Sequence, residues 1–312
     1  MPDDRTTITT SAPGSLMISG EHAVLHGRRA LVGAVNRRVH VTLTRRPDDG
    51  VVIQSALGER EMTRHSMDAT PPFSFVGRAL AACADRMATG CDVAIEADMP
   101  HDVGLGSSAA VTVAMLAALH TWIDGCEPTR DDLAREAAAV IRSVQGVGSG
   151  ADVAASVFGG IVLCTSGPEV HRRLSWLPDL SLLYVGYKTP TKEVVAKVEA
   201  ERLKDLARFE ALFDRFDEVT ESVATALLSE DLTAVGQAVN EGQTVMAELG
   251  VSDPALESLV DALRHTPGIY GAKISGSGLG DCVLGIGRLE ADSLGPFRHI
   301  RAAFSRHGVI IR

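Results

Sequence analysis

A glycine-rich loop precedes a helix-forming segment at Asp102-Val-Gly-Leu-Gly-Ser-Ser-Ala-Ala110. Residues 107–122 are rich in Ala, Val, Met and Leu and predict a helix. Gly104 and Gly106 allow the backbone to approach a ligand closely. The first N–H groups of a helix have no partner within it, and the helix dipole adds partial positive charge there. The loop therefore predicts a phosphate site, with a plain glycine turn and a serine cap as the alternative.

Two hydroxyls at the start of this helix widen what the loop can bind. Ser107 and Ser108 can cap the helix, donate to a phosphate oxygen or hold Mg²⁺. A short Gly-Ser loop is a weak motif by itself, so the rest of the chain has to decide among these roles.

Three further motifs follow one another along the chain. They are Ala12-Pro-Gly-Ser-Leu-Met-Ile-Ser-Gly-Glu-His-Ala-Val-Leu-His-Gly27, Gly148-Ser-Gly-Ala-Asp-Val-Ala-Ala-Ser-Val-Phe-Gly-Gly160 and Gly271-Ala-Lys-Ile-Ser-Gly-Ser-Gly-Leu-Gly-Asp-Cys282. With the glycine-rich loop, and in this order, they resemble the GHMP kinases, small-molecule kinases named for galactokinase, homoserine kinase, mevalonate kinase and phosphomevalonate kinase. The resemblance covers nearly the whole chain, and the Gly-Glu-His segment is most similar to the mevalonate kinases.

Composition is that of an enzyme with a large core. The chain has 312 residues, of which 45% are hydrophobic, and a formal net charge of −10 at pH 7. This charge argues against a nucleic-acid partner. No apolar run is long enough to span a bilayer, so no membrane partner is expected. The first seven residues contain no apolar signal core, which predicts a cytoplasmic protein.

Five cysteines are scattered along the chain without a Cys-x-x-Cys pair. Their odd number and spacing favour reduced, mostly buried thiols over disulfides or a zinc site.

The hydrophobic pattern predicts an α+β protein. Strands are expected at residues 39–44, 51–54, 92–96, 161–164, 181–187, 272–275 and 282–286. Helices are expected at residues 75–88 and 131–144, almost continuously over residues 192–249, and at residues 291–306. Within the long helical region Phe209, Leu212, Phe213 and Phe216 recur at helical spacing and are predicted to be core.

The resemblance implies a two-lobed GHMP kinase architecture. An N-terminal lobe of the ribosomal protein S5 domain 2-like type would span residues 1–178, and a ferredoxin-like C-terminal lobe residues 179–312. The composition shift near Pro178 places this boundary. ATP and substrate would lie in the cleft between the lobes.

The resemblance also assigns roles to residues. ATP phosphates would contact Gly104, Leu105, Gly106, Ser107, Ser108 and Ala109, with Ser108 as the metal ligand. Asp152 matches the family's catalytic aspartate, which orients or deprotonates the acceptor hydroxyl. Its alternative role is that of an acidic residue favoured by the dipole in a first helical turn. The acceptor would be bound by Glu21, His22, Ser277 and Gly278.

Lys188 follows an apolar strand and is predicted to be catalytic, as a point charge that reaches a phosphate. A solvated loop lysine is the alternative.

Two departures from the family pattern bear on the chemistry. The lysine that usually follows Ala-Pro-Gly is Ser15 here, so the cation at the transferred phosphoryl group would have to be Lys188, with Arg142 and Lys273 as further candidates. The glutamate that helps to bind Mg²⁺ in mevalonate kinases is replaced by Ile141.

The function that the resemblance implies is ATP- and Mg²⁺-dependent phosphorylation of a small alcohol. The first candidate is (R)-mevalonate, converted to the 5-phosphate for isoprenoid synthesis, and a homodimer is the candidate assembly. The alternatives are a kinase of phosphomevalonate, a kinase of another mevalonate hydroxyl, and a catalytically weak nucleotide-binding sensor. A decarboxylase is disfavoured because the Lys-Tyr-Trp-Gly signature of that branch is absent.

Overall fold

The computed structural model describes residues 7–99, 103–166 and 170–312, so that Asp102 of the glycine-rich loop and residues 1–6 lie outside the description. The described chain is an α+β protein with two sheets and eight α-helices. This confirms the predicted fold class.

The first sheet is built mainly from the N-terminal half of the chain. Its strands are β1 (Thr7–Ser19), β2 (Ala30–Arg45), β3 (Gly50–Ser55), β4 (Gly58–Thr63), β5 (Cys91–Ala97), β6 (Ile161–Cys164), β7 (Val170–Leu174) and β13 (Ile310–Ile311). The strand order is β13-β1-β2-β5-β3-β4, with β6 paired to β2 and β7 to β6. All pairs are antiparallel except β3 with β5.

Strand β1 changes register against β2 between Pro13 and Gly14. Proline has no N–H to donate to the ladder, so an irregularity is expected at this point. Ser15 follows directly, and the shifted segment lies against the glycine-rich loop.

Four helices accompany the first sheet. They are α1 (Ser74–Cys83), α2 (Ser107–Asp124), α3 (Arg130–Gln145) and α4 (Ala151–Phe158), and short 3₁₀ turns occur at Ala23–His26 and Ala84–Arg86. Helix α2 packs against β1, β2 and the other three helices. It is central because its alanine-rich sequence is apolar around most of its circumference and allows close approach.

The second sheet carries the remaining helices. Its strands are β8 (Leu180–Lys188), β9 (Ile269–Ser275), β10 (Gly280–Gly287), β11 (Ser293–Leu294) and β12 (Phe297–Ile300), in the antiparallel order β11-β12-β8-β10-β9. The helices are α5 (Thr191–Arg202), α6 (Leu206–Leu228), α7 (Leu232–Glu248) and α8 (Pro254–Arg264). The four α6 residues predicted as core are buried, which confirms that prediction.

The predicted helix over residues 291–306 is wrong. This segment forms β11 and β12, which pair with each other across Gly295 and Pro296, and β12 then pairs with β8. Gly295 has a φ of 59°, and Pro296 cannot donate within a helix. The expected helix at residues 75–88 is also shorter, because α1 ends at Cys83 and is followed by a single 3₁₀ turn.

The chain passes from the first sheet to the second between Leu174 and Leu180, close to the predicted boundary. The C-terminal residues then return to the first sheet, where Ile310 and Ile311 pair with β1. The last strand therefore packs with the N-terminal half of the chain.

All five cysteines are free, and four of them are buried. Among the described residues, no helix combines the length and the apolar character needed to cross a bilayer.

Candidate active site

A cleft collects most of the predicted site residues. It has a cavity volume of about 250 Å³. Its walls come from β1, the glycine-rich loop, the start of α2, α3, the start of α4, the end of β8 and the segment after β9. The predicted residues on these walls are Glu21, His22, Gly104, Gly106, Ser107, Ser108, Ala109, Asp152, Lys188 and Ser277.

The N-terminus of α2 opens into this cleft. Gly106 occupies the cap position with a left-handed backbone (φ 64°), and no side chain caps this described helix end. The first intrahelical bond runs from Ala110 N–H to Gly106 O. The N–H groups of Ser107, Ser108 and Ala109 precede that bond, so they are available to an anion.

The glycine-rich loop is fixed against β1. Ser15 N–H donates to Leu105 O at 2.9 Å. A Cβ atom at Gly106 would lie 2.0 Å from Ser15 Oγ, so only glycine fits here. The Leu105 side chain is buried in the core, so this residue anchors the loop and is not among those that line the cleft.

Asp152 lies in the first turn of α4 and is exposed to the cleft. Ser15 Oγ donates to Asp152 Oδ1 at 2.6 Å. The surrounding protein raises the pKa of Asp152 above its usual range, while the Ser15 hydrogen bond and the charge of Lys188 oppose that rise. The carboxylate is thus held in one position by a hydroxyl at the point where the family usually has lysine.

Lys188 is held beside the glycine-rich loop by Asp281. Its Nζ lies 3.1 Å from Asp281 Oδ2, and Gly104 N–H donates to Asp281 Oδ1 at 2.7 Å. Asp281 has a left-handed backbone (φ 71°) and directly follows the second glycine-rich segment. One carboxylate therefore joins the two lobes and places a cation at the mouth of the loop. The sequence motifs did not predict this role for Asp281. The one signal for it in the sequence is an acidic residue directly after the glycine-rich segment 276–280.

Glu21 and Lys273 form a fully buried ion pair. Glu21 Oε1 contacts Lys273 Nζ, and their side chains are 2% and 0% exposed. The second oxygen, Glu21 Oε2, has no hydrogen-bond partner among the described residues. Lys273 is consequently engaged inside the protein and is not a candidate for the missing cation. Arg142 is exposed and is not among the cleft-lining residues.

His22 connects the first motif to the second glycine-rich segment. Its Nε2–H donates to Ser277 O at 2.8 Å. Burial lowers the pKa of His22, so the ring is neutral at pH 7, consistent with a single donated proton. Gly278 is buried against Val251 and does not belong to the residues found to line the cleft.

Ile141 lies on the cleft wall formed by α3, beside Ala138 and Gln145. Glu136, the nearest acidic residue in the sequence, contacts His120 instead. The α3 residues lining the cleft therefore contribute no carboxylate to it.

Comparisons with known proteins agree with this geometry. Family models described as the GHMP kinases N terminal domain and the GHMP kinases C terminal match residues 74–160 and 223–309. A mevalonate kinase of Methanothermobacter thermautotrophicus is 32% identical over 280 residues, covering 88% of this chain and 89% of its own. A mevalonate kinase of Archaeoglobus fulgidus is 34% identical over 282 residues, covering 88% and 91%.

Solved structures support the fold. The mevalonate kinase of Methanococcus jannaschii superposes with a TM-score of 0.80 at 20% identity, covering 97% of this chain and 99% of its own. The galactokinase of Lactococcus lactis, solved with galactose, gives a TM-score of 0.80 at 15% identity, covering 97% and 95%. With both family models matched in order and relatives above 30% identity along most of the chain, this protein belongs to the GHMP kinase family and is an ATP-dependent small-molecule kinase.

Proposed function

We propose that this protein transfers the γ-phosphoryl group of ATP to the 5-hydroxyl of (R)-mevalonate. One observation carries the proposal: Asp152, Lys188 and the uncapped N-terminus of α2 face one cleft. Phosphoryl transfer needs these elements, namely a residue that orients the hydroxyl, a cation and a phosphate cradle. The choice of mevalonate rests on the curated relatives, several of which are named mevalonate kinases.

The ATP phosphates would bind at the start of α2. The N–H groups of Ser107, Ser108 and Ala109 and the helix dipole offer positive charge in fixed positions. Lys188 adds a full charge at the same loop, held there by Asp281. Charges placed before the reaction stabilise the transition state without a cost of reorganisation.

The acceptor hydroxyl would be oriented by Asp152. An ionised carboxylate accepts its hydrogen bond and its proton as the new P–O bond forms. Ser15 fixes one carboxylate oxygen and leaves the other for the substrate. His22 and Ser277 line the same cleft, and since His22 Nε2 is bound to Ser277 O, the groups they would offer to the acceptor are His22 Nδ1 and the Ser277 hydroxyl.

The oxygen donors of the cleft fit Mg²⁺. Mg²⁺ is typically held by one or two carboxylates together with substrate phosphates and several waters, and Asp152 is the carboxylate among the residues found to line this cleft apart from the buried Glu21. Ser108, half-buried at the start of α2, would supply a hydroxyl, and Ile141 leaves the α3 wall without a carboxylate. The ion would neutralise charge on the β- and γ-phosphates.

The test is an acceptor panel with the full chain, ATP and Mg²⁺. ADP release would be followed with (R)-mevalonate, (S)-mevalonate, 5-phosphomevalonate, homoserine and galactose. We expect (R)-mevalonate to give the highest kcat/KM, and Asp152→Asn to abolish turnover while ATP binding persists. A higher kcat/KM with another acceptor would overturn the choice of substrate.

One observation favours a second candidate, a nucleotide-binding sensor. The Asp281 carboxylate already accepts a hydrogen bond from the Gly104 N–H and forms an ion pair with Lys188, so both groups are engaged within the protein. Ile141 also stands at the position where the resemblance implies a metal-binding glutamate. A sensor would bind ATP in the same experiment and phosphorylate none of the acceptors.

A further inference from the structure

A cysteine, a histidine and a glutamate converge away from the cleft. Cys83 ends α1, His120 lies near the end of α2, and Glu136 lies on α3. One ligand atom from each lies within 4.8 Å of the other two. The three residues are far apart in the sequence, so their spacing resembles no zinc motif. For this reason the cysteine pattern alone disfavoured a zinc site.

We propose that Cys83, His120 and Glu136 bind a zinc ion. A thiolate, an imidazole and a carboxylate are together the donor set that zinc accepts, whereas Mg²⁺ and Ca²⁺ prefer oxygen alone. Tetrahedral zinc bonds of about 2.0–2.3 Å require the Cys83 sulfur to draw closer than the 4.8 Å limit, and His120 Nε2 and Glu136, which now contact each other directly, to separate so that the ion lies between them. Water would occupy the fourth position, since the His120 and Glu136 side chains remain 13% and 30% exposed.

The surroundings of His120 support this role. Its Nε2 contacts Glu136, while its Nδ1 lies 3.5 Å from Asp124 Oδ2, one helical turn further on, and 3.3 Å from Arg86 Nη1. Arg86 binds Asp124 through both carboxylate oxygens. A carboxylate on the second ring nitrogen is the usual outer partner of a metal-bound histidine, because it fixes the orientation of the ring.

The site is separate from the kinase cleft. Ser108 and His120 lie on the same helix, ~18 Å apart along its axis at 1.5 Å per residue. None of the three ligands is among the cleft-lining residues. The ion would therefore tie α1, α2 and α3 together and stabilise the helix that carries the phosphate loop.

Binding displaces a proton from the thiol. Burial raises the pKa of Cys83 to about 12, so the free site holds a protonated thiol. Zinc forms bonds to the Cys83 sulfur and to His120 Nε2, so the thiol proton leaves to solvent and the Nε2 proton that faces Glu136 is displaced as well, with no change in oxidation state.

The test is a titration of the reduced, chelator-treated full chain with Co²⁺, followed by absorption. Cobalt takes zinc sites and its thiolate bond absorbs in the near ultraviolet. We expect one tightly bound cobalt per chain with a thiolate band, displaced by Zn²⁺ and unaffected by excess Mg²⁺. Cys83→Ser should abolish the band, and Glu136→Gln should weaken cobalt binding at least tenfold.

Two variants serve as controls. Cys91→Ser removes another buried thiol, whose pKa is also raised to about 12 by burial, and should keep the band. Cys126→Ser removes the exposed thiol and should keep it as well. Absence of a band in the unmodified protein, its persistence in Cys83→Ser, or its loss in Cys126→Ser would each overturn the proposal. The unmodified protein and Glu136→Gln decide the question even where Cys83→Ser does not fold.

Discussion

Replacing Lys273 with methionine removes the positive charge of the buried ion pair while keeping the length of its aliphatic stem. The Lys273 side chain is fully buried and touches Glu21 and the carbonyl oxygen of Ile274. The change leaves a buried Glu21 carboxylate whose Oε2 already lacks a partner among the described residues. Burial lowers the pKa of Lys273, whereas the charge of Glu21 and its hydrogen bond to Lys273 oppose that shift, so Glu21 favours the charged form of the lysine.

The expected cost is about 3–5 kcal/mol of unfolding free energy, the usual result when one partner of a buried pair is removed. The double variant Glu21→Gln with Lys273→Met removes both charges and should recover a large part of that loss. The loss in the double variant minus the sum of the losses in the two single variants, Lys273→Met and Glu21→Gln, gives the coupling energy.

Urea unfolding at pH 7, followed by circular dichroism, measures both quantities. Lys204→Met is the matched control, because Lys204 pairs with Glu201 on the surface with its side chain 68% exposed. This control should leave the free energy of unfolding nearly unchanged. A loss in Lys273→Met no larger than that of the control, or no recovery in the double variant, would refute the reasoning.

The remaining predictions concern the cleft. Asp152→Asn should lower kcat about 10⁴-fold, which abolishes measurable turnover with the fold intact, as followed by ADP release and circular dichroism; near-normal turnover would remove Asp152 from catalysis. Ser108→Ala should reduce turnover more at limiting than at saturating Mg²⁺. Gly106, not Ser108, occupies the cap position of α2, so the Ser108 hydroxyl is free to bind the metal; an equal loss at both concentrations would exclude Ser108 as a metal ligand. Lys188→Met should lower kcat about 10²–10³-fold, and Ser15→Lys should partly restore it; unchanged turnover would make Lys188 a surface residue. The surrounding protein raises the pKa of Asp152, and catalysis requires its ionised form. On acidification, kcat should therefore begin to fall at a higher pH than it would with an ordinary aspartate. Ser15→Ala removes a hydrogen bond that lowers this pKa, so it should move the acidic limb of the pH–rate profile further upward.

Local patterns predicted much of the fold. Alternation of apolar and polar residues at 39–44 identified part of β2, because one face of that strand is buried. The run of small apolar residues after Gly106 identified α2, because that helix is buried on most sides. The error at residues 291–306 came from ignoring Gly295-Pro296, a strong turn signal. Helix α8 was missed although Asp253 and Pro254 are a good helix start, with Asp253 accepting from two backbone N–H groups.

Site residues could be named from motifs, whereas their contacts could not. The sequence predicted roles for Asp152 and Lys188, yet the hydrogen bond from Ser15 and the ion pair to Asp281 join segments more than ninety residues apart. Such contacts depend on the packing of the two lobes, which no local pattern contains. The same holds for the partner of Glu21: Lys273 lies within a predicted strand, and the motifs suggested it only as a candidate for the missing cation, not as the partner of Glu21.

The position of the transferred phosphoryl group tests the central claim most directly. Carbon-labelled (R)-mevalonate would be incubated with the full chain, ATP and Mg²⁺, and the product analysed by ³¹P and ¹³C NMR. We predict a single phosphate monoester coupled to carbon 5, absent with Asp152→Asn. Phosphate on carbon 3, or ATP binding without any phosphorylated product, would contradict it.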